Sequence, residues 1–196
     1  MWNHNNHFHS YLLHQSPKKL NRVLDVGCGL GFFAKKLAER SEFVEALDVD
    51  QVTLEEASNR NSAPNIYYLQ ADFLEADLPE GSYDAIFSIA SLHHMDLETA
   101  LAKMKVLLRP SGKLLILGLY QEMTILDYLY SSISVFLNSI YMNWHRTSIA
   151  PSTTTAPILP AQLSIGQIET VADTLIPGFQ LQRHLFWRYS LLWQKL

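Results

Sequence analysis

The sequence predicts a single α/β domain built on a mostly parallel sheet, and three observations carry that expectation. Short β-rich runs alternate with helical patterns through residues 22–117, one early run ends in a glycine-rich turn, and the 196-residue length suits one sizeable core. Strands joined by crossover helices pair in parallel, and the helices then cover both faces of the sheet.

The elements follow in order. Residues 22–26 form a compact strand ending at Gly27-Cys28-Gly29. The segment 32–40 is helical, with Phe33 and Leu37 four apart on one face. A second strand spans 43–49 and a second helix 52–59. The third strand, 66–70, is entered through Pro64-Asn65, and the fourth, 83–89, through Glu80-Gly81. Residues 97–108 are helical until Pro110 and Gly112, and 113–117 are the fifth strand. Beyond Gly118 come a long apolar helical pattern over 122–143, a Ser/Thr/Pro-rich loop over 145–160, and a helix over 164–175 with Ser164 as N-cap. The runs 179–187 and 189–194 close the chain as an antiparallel pair. The whole chain, 1–196, reads as one domain, with 1–20 as a helical segment or lid and 120–165 as a helical insertion and loop.

Composition narrows the function classes. The apolar fraction of 48% is ordinary for a globular protein, and the charged fraction of 17% is somewhat low. A net charge of −4 leaves no basic footprint for DNA or RNA. No run of about 18 uninterrupted apolar residues occurs, so stable membrane insertion is not expected. The one cysteine, Cys28, cannot form an internal disulfide and fits a reducing cytoplasm. The first ten residues have neither a basic nor an apolar run and do not read as a signal peptide.

Chemistry concentrates at Asp25-Val26-Gly27-Cys28-Gly29-Leu30-Gly31-Phe32. Alternate glycines after a buried strand allow a tight turn and let a ligand approach the backbone. A dinucleotide loop of the form G-x-G-x-x-G needs its third glycine where Phe32 stands, and no P-loop lysine follows. Asp25 would repel a pyrophosphate but favour a ligand bearing an ammonium group.

Asp25-x-Gly27-x-Gly29-x-Gly31 resembles the first motif of the class I methyltransferases that use S-adenosylmethionine (SAM), within their small-molecule, type 11-like group. The resemblance is specific from Val23 to about Leu117. It implies a Rossmann-like three-layer sandwich with a seven-stranded sheet whose last strand is antiparallel. It also implies methyl transfer from SAM to a small-molecule oxygen, nitrogen or carbon, leaving S-adenosylhomocysteine (SAH). Gly27, Cys28, Gly29 and Gly31 would shape the loop and Asp25 would face the methionine end. Asp48, ending the second strand, would accept the ribose hydroxyls, with Asp50 as the alternative. Asp72 would face the adenine amino group, with Val49 and Phe73 flanking the ring.

The fourth strand runs into Ile89-Ala90-Ser91-Leu92-His93-His94, resembling the family's fourth motif. In an open parallel sheet the cleft lies beyond the strands' carboxyl ends, so Ile89 to His94 should border donor and acceptor. Enzymes of the superfamily that methylate amide or base nitrogens carry Asn or Asp before Pro-Pro here, and this chain does not. His93 or His94 is the candidate general base, against a purely structural role. In the amino-terminal segment, His4, His7, Tyr11 and His14 share one stripe if helical. That stripe reads as a lid with His7 or Tyr11 bonding the methionine carboxylate, or as a surface amphipathic helix; a metal site is disfavoured because no acid or cysteine joins it. The 122–143 pattern reads as core packing, an acceptor lid, or a membrane-surface or homodimer contact. A SAM-binding protein without catalysis and a nicotinamide-dependent oxidoreductase are the competing functions.

Overall fold

A computed structural model describes residues 4–124, 127, 134 and 160–196. The elements are α1 (His4–Gln15), β1 (Leu20–Val26), α2 (Phe32–Ala38), β2 (Ser41–Asp48), α3 (Gln51–Arg60), β3 (Ile66–Gln70) and β4 (Tyr83–Ile89). A 3₁₀ turn (Leu92–His94), α4 (Leu97–Leu107), β5 (Leu108–Leu119), α5 (Ile165–Leu175), β6 (Gln180–His184) and β7 (Arg188–Gln194) follow. They form one seven-stranded sheet in the order β3-β2-β1-β4-β5-β7-β6. Strands β1 to β5 pair in parallel, and β7 runs antiparallel to both β5 and β6.

Both faces are covered. Side chains alternate across a strand, so Leu24, Val26, Ile86, Leu114 and Ile116 face one core with α4 and α5. Val23, Ala85, Phe87, Leu115 and Leu117 face the other with α1 and α2. Helix α1 docks through Phe8 and the fully buried Leu12, four residues apart, rather than lying loosely on the surface. Ser164 caps α5 and completes a capping box with Gln167.

Two elements differ from expectation. Helix α4 stops at Leu107, and β5 begins at once rather than at 113, through an irregular entry whose register with β4 shifts between Tyr83 and Ala85. Gly112 fits that entry because a Cβ would lie 2.8 Å from the Arg109 carbonyl oxygen and 2.9 Å from that of Tyr83. The expected strand over 179–187 ends at His184; Phe186 and Trp187, both left-handed at φ 63° and 59°, make the reversal into β7. Apolar aromatic residues disguise that turn, since neither is a usual turn former. The 122–143 helical pattern and the 145–160 loop lie outside the described residues apart from 122–124, Asp127, Ser134 and Pro160.

Candidate functional site

The carboxyl ends of β1, β2 and β4 converge on the glycine loop. The backbone N–H groups of Gly27 and Cys28 both donate to the Leu47 carbonyl of β2, at 2.8 and 3.0 Å, pinning the loop's root. Gly27 and Gly31 are left-handed at φ 71° and 72°, and both are crowded. A Cβ on Gly27 would meet Ser91 Cβ at 2.2 Å, and one on Gly31 would meet the Tyr68 hydroxyl at 2.2 Å. Ser91 Oγ in turn donates to the Val26 carbonyl at 2.7 Å, fastening the end of β1 to the end of β4. Gly29 is the exception: φ is 51° and a Cβ there would meet nothing within 4 Å. The outer two glycines therefore serve protein packing, whereas the middle one faces open space.

Asp25 is 1% exposed, and its Oδ2 has no hydrogen-bond partner. Burial, followed by the neighbouring Asp48 charge, raises its carboxyl to about pKa 7. Asp48 accepts from Gly29 N–H at 2.8 Å through Oδ2 and from Asp50 N–H at 3.1 Å through Oδ1. Each of its oxygens keeps a second lone pair. Asp50 instead caps α3, accepting from Val52 N–H at 3.2 Å and from Thr53 Oγ1 at 2.5 Å, so its carboxylate is engaged in holding the helix. Val49 between them is 58% exposed. Asp72 is exposed two residues past the end of β3, where Oδ1 accepts from Leu74 N–H at 2.8 Å. Cys28 is half-buried, and burial together with Asp25 and Asp48 pushes its thiol up, so it stays protonated.

Three residues expected at the site are placed in packing contacts. Phe73 has 0% exposure and belongs to the core under α4, with Lys103 Nζ 5.4 Å from its ring centroid. A ring without accessible surface has no face to offer an adenine. Tyr11 places its hydroxyl 3.2 Å from Ser190 Oγ on β7 and 3.4 Å from Gln182 on β6. Strand β7 is three strands from β1, roughly 14 Å at the usual spacing, so Tyr11 does not reach the loop. His7 packs edge-on against Phe8, and its ring centroid lies 6.5 Å from that of Phe186 in the β6–β7 turn.

The α1 residue that meets α2 is His9, which sequence reasoning passed over. Its ring centroid lies 4.8 Å from that of Phe33, and its Nδ1 is buried without a partner. Burial, then Lys36, lowers its pKa to about 4, so the imidazole is neutral. The available signal was the Phe8/Leu12 pair, which marks the inward stripe beside His9.

Ile89 is half-buried at the end of β4, and Ala90 after it is left-handed at φ 52°. His93 and His94 form the 3₁₀ turn that follows, their ring centroids 4.0 Å apart. Both line a cavity of about 380 Å³ that also touches Leu119 at the end of β5, Leu163, Ile168 of α5 and Tyr189 of β7. The structure thus gathers Asp25, the glycines, Asp48 and Val49 at the loop. It sets Asp72 beside them and the His pair at an adjoining hollow.

Comparisons with known proteins agree with this arrangement. Residues 24–116 match the model of a methyltransferase domain family. The chain is 32% identical over 198 residues to an uncharacterized methyltransferase of Mycobacterium tuberculosis, covering 98% of this chain and 96% of that one, and equally to one from Mycobacterium bovis. Among solved structures, an SAM-dependent methyltransferase from Mesorhizobium loti superposes with a TM-score of 0.67 at 16% identity, covering 95% of this chain and 96% of the other. A putative SAM-dependent methyltransferase from Listeria monocytogenes gives a TM-score of 0.65 with the same coverage. The glycine-loop sheet and a relative matched along nearly its whole length lead to one conclusion: this chain belongs to the class I SAM-dependent methyltransferases.

Proposed function

We propose that this chain holds SAM against the Asp25–Gly31 loop and transfers its methyl group to a small-molecule acceptor in the hollow beside His93 and His94. The observation that carries the proposal is the buried Asp25 carboxyl, one oxygen of which lacks any hydrogen-bond partner. An unpaired buried carboxylate is costly, and a cationic ligand offsets that cost. A diphosphate would instead add negative charge beside Asp25 and Asp48. The donor set therefore fits the ammonium-bearing end of SAM.

The remaining roles follow from position. Asp48 keeps free lone pairs on both oxygens for a pair of vicinal hydroxyls, while the Gly29 and Asp50 N–H groups fix its orientation. Val49 offers exposed apolar surface next to it, and Asp72 supplies an exposed carboxylate at the end of the neighbouring strand. Gly29, open above the backbone, lets a ligand approach closely.

SAM supplies a methyl group already activated on a sulfonium; transfer forms one bond from the acceptor atom to that carbon and breaks the carbon–sulfur bond, leaving SAH. The chain's own contribution is mainly alignment. Of the titratable groups lining the hollow, Asp96 is engaged as the N-cap of α4, and burial keeps the Tyr189 hydroxyl protonated. The imidazoles of His93 and His94 also line it and are the candidate groups to take the acceptor's proton.

Calorimetry with SAM, SAH and NADH tests the assignment. Binding of the SAM pair and not of NADH is expected; tight NADH binding with neither of the other two would overturn it.

A further inference from the structure

The cavity beside the His turn has a built-in polar handle that lies far from the glycine loop in sequence. Tyr189 on β7 pairs with Gly118 on β5, and its ring lies across that glycine. A Cβ on Gly118 would meet Tyr189 Cζ at 2.3 Å and its hydroxyl oxygen at 2.5 Å. Glycine at 118 is thus what lets the tyrosine lie down at the carboxyl end of the sheet. The side chain is 2% exposed and lines the cavity. Its hydroxyl can donate and accept a hydrogen bond toward a ligand there.

The rest of the wall defines what that ligand can be. Leu119, Leu163 and Ile168 are apolar, and Gln162 offers a neutral amide. Among the described lining residues there is no Lys or Arg, and the Asp96 carboxylate would repel a carboxylate or phosphate. The carboxylate of Asp96 accepts from Thr99 N–H at 2.9 Å and Thr99 Oγ1 at 2.5 Å, both through Oδ1, and so caps α4. About 380 Å³ is room for a molecule the size of a two-ring aromatic.

We propose that this cavity is the acceptor site and takes a neutral, apolar-bodied molecule carrying one hydroxyl, which Tyr189 selects by hydrogen bonding; the acceptor role rests on the SAM assignment above. A site that bonds a ligand hydroxyl disfavours the analogue lacking it, because its own polar group is then left unpaired. Tyr189 acts here as a specificity-determining contact.

Fluorescence titrations of the full chain with 2-naphthol, naphthalene and 2-naphthoate, with and without SAH, test this. The wild type should prefer 2-naphthol over naphthalene by about tenfold and bind 2-naphthoate worst. In Tyr189→Phe, which removes one oxygen and leaves the packing on Gly118 intact, that preference should fall to near unity while SAH affinity is unchanged. A wild type that binds SAH but shows no hydroxyl preference, a preference that survives in Tyr189→Phe, or tightest binding of 2-naphthoate each overturns this proposal alone. A wild type that fails to bind SAH overturns the cofactor assignment, and the acceptor role with it.

Discussion

The glycine-loop end of β1–β3 and the cavity at the ends of β4, β5 and β7 sit on one rim of one sheet, yet they are assembled differently. The first comes from residues 25–31 and 48–50, with Asp72 after the next strand, and its groups are fixed by bonds between neighbouring strand ends such as Gly29 N–H to the Asp48 carboxylate. The second joins residues 92–97, 119, 162–168 and 189, and its key contact pairs residues 118 and 189 across two antiparallel strands. The glycine-loop end therefore rests on the parallel strands β1, β2 and β4, whereas the cavity is complete only with β7 in place. The first should tolerate little change in its backbone and acids. The second should be tunable by side chains.

The comparison breaks most visibly at Phe73. As core rather than ligand contact, Phe73→Ala should cost about 3–5 kcal/mol of stability, read by denaturant unfolding, with no selective loss of SAM affinity in the folded fraction. Normal stability with lost SAM binding would return the ring to the adenine. The next effect in size is at Asp48: replacement by Ala should weaken SAM binding by about 1.5–3 kcal/mol in calorimetry, and unchanged affinity would remove Asp48 from the donor site.

The smallest effect on SAM affinity is the pH dependence of Asp25. Its folded pKa, about 7, is raised above the ordinary carboxyl value, so the folded chain binds a proton that the unfolded chain has already released. Stability of the ligand-free protein should then be highest near pH 4 and fall as pH rises to about 7. SAM affinity should move the opposite way, gaining about 1 kcal/mol between pH 6 and 7.5 as the carboxylate forms. Asp25→Asn should flatten both trends, as thermal melts and calorimetry would show. A variant that keeps both slopes would place the titration elsewhere.

Much of the fold was legible beforehand. Alternating strand and helix patterns, the Gly-rich turn after β1 and the Ser164 cap are local signals, and the elements they marked among the described residues are present. Asp50 illustrates where such signals stop: it and Asp48 look equivalent on paper, and only the start of α3 shows that Asp50 is engaged as a cap. Phe73, Tyr11 and His7 make packing contacts that sequence does not foretell for a related reason, since each side chain's direction is set by the layer it packs against. His9 was overlooked because an imidazole in a polar segment does not read as buried.

By itself, the amino-acid order determined the parallel sheet, the loop and the set of acids around it, because glycine conformation and strand periodicity act over a few residues. Only the tertiary structure decided that Gly27 makes room for Ser91, Gly31 for Tyr68 and Gly118 for Tyr189, and that Asp25 is left without a partner. Those outcomes depend on which distant side chain reaches a given point in space, and close packing between strands settles that.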